Sequence, residues 1–197
     1  MERHSGDQPV NCPDSRAPCC RRPRGRQRGY TMIELMFTVA IAALVTGLAV
    51  PNFRDFVLNN RAAEEANALV GALALARSES VTRGIPVSVC ASTDNATCAG
   101  ATDWSTGWIV FTDANAPLGA VDGGAEPDTV LRALPALRTG SALTANANFV
   151  SYAANGFLAT AAGINFALDI DQCTGDHNRN ITVNPQGRAA VAHAPCT

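Results

Sequence analysis

The strongest constraint on this chain is an apolar run, RGYTMIELMFTVAIAALVTGLAVP, from Arg28 to Pro51. No charged residue occurs between Leu35 and Val50. A helix over residues 30–50 would measure roughly 30 Å, the thickness of a bilayer's hydrocarbon layer. Arg22, Arg24, Arg26 and Arg28 stand just before it. Such a basic flank holds the N-terminus in the cytoplasm and sends the chain beyond Pro51 outward. One carboxylate, Glu34, interrupts the run. A carboxylate inside a membrane helix costs about 2–3 kcal/mol unless it reaches the headgroups or meets a cation. Two readings follow: Glu34 snorkels to the interface, or a cut between Gly29 and Tyr30 creates an α-amino group that neutralises it on a neighbouring copy.

Charge divides at the same place. The chain has 197 residues and no lysine. Residues 1–29 carry seven arginines against three acids, and the remainder carries eight arginines against fourteen acids. The exported part is therefore acidic, which argues against a broad nucleic-acid-binding surface. Cys12, Cys19 and Cys20 precede the span, on the reducing side of this topology. Cys90, Cys98, Cys173 and Cys196 follow it, where disulfides persist. Of the three pairings open to four cysteines, Cys90–Cys98 and Cys173–Cys196 are favoured because each closes a short local loop. Zinc is the rival reading, but no CxxC or HxxxH spacing supports it.

Residues 1–28 are rich in Pro, Arg, Gly and Cys and read as a disordered leader. The helix is expected to run past Pro51, since residues 52–82 favour helix. Ala66, Leu69, Val70, Leu73 and Ala76 continue an apolar face at spacings of three and four. Pro51 then bends the helix, and Gly84 and Pro86 end it. Beyond it, short β-like runs at 87–91, 108–112, 129–134, 148–152, 164–170, 180–183 and 188–193 are separated by Gly, Asn, Asp and Pro. One long helix followed by short strands implies an α+β fold, with one antiparallel sheet or two small sheets on the helix. The segment between Asp113 and Asp128 reads as a solvated, turn-rich loop; its Asp113, Asp122, Glu126 and Asp128 do not fit the twelve-residue calcium loop.

Gly29-Tyr30-Thr31-Met32-Ile33-Glu34-Leu35, after a basic leader, resembles the prepilin peptidase site of type IV pilins and type II secretion pseudopilins. Tyr30 stands where that family usually has Phe, and Met32 where it has Leu. Pro51 falls where the family places its helix-bending proline. Leu75-Ala76-Arg77-Ser78-Glu79, Arg83-Gly84, Gly107-Trp108-Ile109-Val110-Phe111 with Asp113, Val130-Leu131-Arg132 and Gly187-Arg188 resemble the GspH/FimT branch. The resemblance implies a leader, 1–29, removed by prepilin peptidase. It implies a transmembrane and assembly half of the helix, 30–51, an amphipathic half, 52–84, and a periplasmic β-rich head, 85–197. It also implies methylation of the new Tyr30 amine, pairing of Glu34 with such an amine during assembly, an inner-membrane location before assembly, and other pilins or pseudopilins as partners.

No GxSxG, P-loop, HExxH or GxGxxG motif occurs, and no enzyme and no cofactor are expected. His177 lies beside acids in Asp171-Gln172-Cys173-Thr174-Gly175-Asp176-His177 and reads as a loop histidine. FimT-like members linked to DNA uptake carry GRxR near the C-terminus. Here the residues are Gly187-Arg188-Ala189-Ala190, with the second arginine absent. A DNA-binding role would then rest on Arg188, with Arg179 and Arg138 as the residues that could compensate if they fold nearby. Three functions remain: a minor pilin that primes a type IV pilus, a type II secretion pseudopilin, and a DNA receptor on a pilus.

Overall fold

The structure, a computed structural model, describes residues 29–123, 127–160 and 162–196, and for residues 48–52 the backbone alone. The leader, with Cys12, Cys19, Cys20 and the arginine run, lies outside the described residues, as does Glu126. Helix α1 spans Met32–Arg83, so the chain stays helical through Pro51. Contacts divide the chain into two units, residues 1–44 and 45–197.

In the first unit, Thr31 and Glu34 form the start of α1. The Glu34 amide donates to Thr31 Oγ1 at 3.3 Å, and the Leu35 amide to the Thr31 carbonyl at 3.2 Å. This is the T-x-x-E spacing of a capping box, and it places a carboxylate where the helix dipole is positive. Large apolar side chains from Tyr30 to Leu44 are all exposed, on every side of the helix. Among the described residues no helix is long and apolar enough to cross a membrane.

In the second unit, α1 ends at Gly84, which takes a left-handed φ of 71° and donates to the Ser80 carbonyl at 3.0 Å. Eight strands follow among the described residues: β1 Val87–Ala91, β2 Trp108–Thr112, β3 Val130–Leu134, β4 Ser141–Ala145, β5 Phe149–Tyr152, β6 Ile164–Ile170, β7 Asn178–Val183 and β8 Ala189–Ala194. They form two four-stranded sheets, of order β3-β2-β1-β5 and β4-β6-β7-β8, and every pairing is antiparallel. Of the two arrangements the sequence allows, two small sheets is therefore the observed one. Ala62, Ala66, Leu69, Leu73 and Ala76 of α1 are buried in one core with Val89, Trp104, Trp108, Val110, Leu143, Phe166, Leu168 and Ile181. Small alanines every three or four residues let the strands approach the helix closely, while Leu69 and Leu73 fill the space between. The Trp104 ring meets Phe166 edge to face at 5.0 Å, inside the core.

β6 and β7 alternate buried and exposed, as strands with one solvated face do. β1 and β2 are buried throughout. On their outer side Cys90, Ile109 and Phe111 form a second cluster with Cys98, Val121 and Phe149. The loop after β2 therefore covers the sheet, and Asp113, expected to be solvated, is fully buried. β4 has no counterpart among the expected strands. Its sequence, SALTA, offers one large apolar residue, Leu143, which alone points to the core.

Candidate functional site

Gly29 and Tyr30 precede the helix, and Tyr30 is exposed, so this peptide bond is open to an enzyme. Glu34 is exposed in the first turn. The residues around it, from Met32 to Val45, form a helix surface apolar on all sides, with Glu34 its one charged group. Pro51 lies within α1, its side chain outside the described residues.

The cysteines of the head are joined as Cys90–Cys98 and Cys173–Cys196, with Cα atoms 5.6 and 5.8 Å apart. The first bridge ties β1 to the loop behind it. In that loop Asp94 accepts from the Thr97 hydroxyl at 2.6 Å and from the Thr97 and Ala96 amides. These bonds hold its carboxyl far below the usual carboxylate range. The second bridge ties the segment after β6 to the residues after β8. That segment is fastened to α1, because Thr174 Oγ1 donates to Asp55 Oδ1 at 3.0 Å.

Arg188 is exposed, and its amide donates to Asn184 Oδ1 at 2.9 Å in the β7–β8 turn. It lines a groove of about 290 Å³ with Arg77, Tyr152, Gly187 and helix residues Val70 and Ala74. Gly187 sits at φ 75°, and a Cβ there would collide with the Gly156 carbonyl oxygen. The two arginines named as substitutes are engaged elsewhere. Arg138 pairs with Glu64 at 3.0 Å. Arg179 is buried, donating to the carbonyls of Asp176, His177 and Asn178 and to Asn59 Oδ1 on α1. Burial lowers the Arg179 pKa. Arg77, which lines the groove beside Arg188, carried no such expectation in the sequence.

The acids between Asp113 and Asp128 accept main-chain and side-chain hydrogens. Asp113 Oδ2 accepts from the Gly119 amide at 2.7 Å and from the Ser88 hydroxyl, while Oδ1 is buried without a partner. Burial, above all, raises its pKa. Asp128 accepts from the Ala114 and Asp122 amides at 3.3 and 3.0 Å. Among the described residues no group of three or more His, Cys, Asp or Glu could hold a metal ion. His177 is half-buried, and His193 Nδ1 lies 2.9 Å from the Asp176 carbonyl oxygen.

A helix whose later turns lie on two small antiparallel sheets, and whose first turns form an apolar run with one glutamate after a basic segment and a glycine, defines the pilin-like class of proteins. The sequence profile described as type II transport protein GspH matches residues 65–187, and that of the prokaryotic N-terminal methylation motif matches residues 24–50. The chain belongs to the GspH family. Its fold is similar to that of the type IV minor pilin FimU of Pseudomonas aeruginosa, with a TM-score of 0.52 and 22% identity over 70% of this chain and 92% of that one. A looser likeness, TM-score 0.44 and 13% identity over 68% of this chain and 97% of the other, links it to the minor pseudopilin EpsH of the Vibrio cholerae type 2 secretion system. The type IV major fimbrial protein FimA of Dichelobacter nodosus is 42% identical over 38 residues, 19% of this chain and 24% of that protein. The chain thus spans about a quarter of the length of the curated relatives it matches.

Proposed function

We propose that this chain is a minor pilin or pseudopilin that enters a type IV pilus. One observation carries the reading: the first turns of α1 are apolar on all sides, uncovered by any described part of the chain, and broken by a single carboxylate. A helix greasy all round needs lipid or other helices. Prepilin peptidase cuts after Gly29, and the freed Tyr30 amine is methylated, which keeps its charge. The helix first rests in the inner membrane with the head in the periplasm. It then leaves the lipid for a bundle of similar helices, where Glu34 meets the amine of a neighbouring subunit. In a low-dielectric bundle an unpaired carboxylate costs far more than a paired one, so the pairing selects correct axial register.

Glu34→Ala is expected to leave cleavage intact and to prevent recovery of the subunit in sheared filaments, read by immunoblot. Normal incorporation would remove the pairing role. N-terminal sequencing of the processed protein should begin at Tyr30. A secretion pseudopilus is the alternative, and secretion genes next to the coding sequence, in place of pilus genes, would favour it.

DNA binding is the third reading, and it rests on Arg188 and its exposure, since Arg138 and Arg179 are already bonded. One phosphate contact gives weak, salt-sensitive affinity. A gel shift with the full chain in detergent micelles at low salt, abolished by Arg188→Ala, would support it, and absence of any shift would retire it.

A further inference from the structure

Each sheet has two edges, and three of the four are closed by different devices. The outer edge of β4 is covered by residues 102–104: the Trp104 amide donates to the Leu143 carbonyl at 2.7 Å and the Ala145 amide to the Thr102 carbonyl at 2.9 Å. That of β5 is covered by residues 157–159, through Ala153 N to Phe157 O at 2.9 Å and Ala159 N to Ser151 O at 2.8 Å. β3 carries Arg132 and meets β2 across a register shift at Val110/Phe111, which twists and blunts it.

β8 has none of these. Its six residues pair with β7 without interruption from Ala189 to Ala194, and among the described residues no other strand is hydrogen-bonded to its far side. It holds no proline and no permanently charged side chain. Its one ionisable side chain, His193, has Nδ1 beside the Asp176 carbonyl. Its core-facing side is only partly covered, with Ala189 packed against the core. Val191 stands opposite Ile181, so the two share a face, yet Val191 is 44% exposed and Ile181 is fully buried. The groove lined by Val70, Ala74, Arg77 and Arg188 begins at Ala189, on that same core-facing side. No acidic residue among those described lines it.

We propose that β8 is a docking edge that accepts one further β-strand from another polypeptide, apolar on its core-facing side and carrying a carboxylate opposite Arg188. The main chain of β8 supplies the ladder, and the groove over α1 receives the alternate side chains. The pair of arginines, with no acid among the described lining residues, sets the charge of the guest. The inference stands on the sheet edges and is independent of filament membership.

The test is amide hydrogen exchange on the full chain in detergent micelles. The probe is a synthetic heptapeptide at millimolar concentration that alternates threonine and valine and ends in aspartate. Exchange of the β8 amides is expected to slow by about tenfold or more, with β3, β4 and β5 unchanged. A twin peptide ending in arginine should protect less. Val191→Lys, which sets a charge on the core-facing side, should abolish protection. Arg188→Glu should reverse the preference between the two peptides, and this swap still decides the matter if Val191→Lys fails to fold. No protection of β8, equal protection of every edge, or protection by a DNA duplex and not by the peptide would overturn the proposal.

Discussion

Tyr152 shows how the burial of one group becomes a measurable property. The phenol lies in the core between α1 and β5, 1% exposed, and burial pushes its pKa up to about 12, against a small opposing pull from Arg77. In the folded chain it keeps its proton to a higher pH than in the unfolded chain, whose phenol titrates near 10. Between pH 10 and about 12 the folded state therefore binds more protons, and stability falls as pH rises. The loss from this group should approach about 3 kcal/mol at the top of that window. Urea unfolding across it should show a slope that Tyr152→Phe removes. At this scale the sequence hid more than it told. Gly187 and Arg188 stood out as a motif, but nothing in the spacing joined them to Arg77, 110 residues earlier. Asp113 looked like a loop acid because its neighbours are polar, and only the fold shows that its loop covers β1 and β2.

At the scale of elements, the periodic signals were dependable. β1, β2 and β6 begin and end where the sequence places them; β-branched and aromatic residues fill β2 and alternate through much of β1 and β6. β4 was invisible because its place in the sheet depends on pairing with β6 and on the cover given by residues 102–104, which are long-range facts. The helix was legible through its alanine and leucine spacing, and its two stretches make opposite demands. Leu69 is fully buried and Leu44 is 69% exposed. Leu69→Ala should lower the stability of the head by about 2–5 kcal/mol. Leu44→Ala should leave the head's urea midpoint unchanged, because that side chain is already open to solvent.

At the scale of the whole molecule, charge divides at the cut expected after Gly29, with the basic segment before it and the acidic remainder after it. Among the described residues the core lies from Ala62 onward. What composition could not show is that α1 is fastened to the sheets by polar contacts as well as by its apolar seam. Arg61 donates to the Arg138 and Thr139 carbonyls at 2.7 Å each, Arg77 to the Gly156 carbonyl at 3.0 Å, and Asn59 and Asp55 receive Arg179 and Thr174. These fastenings recur along the helix from residue 55 to residue 77. Tension applied along the helix axis would therefore load several of them in shear at once, instead of peeling them singly. In optical-trap pulling from the N-terminal end, the head should yield in one abrupt step, and Arg61→Ala combined with Arg179→Met should lower the force of that step. A subunit drawn by its helix would carry its head along as cargo under strain, without the rod slipping free.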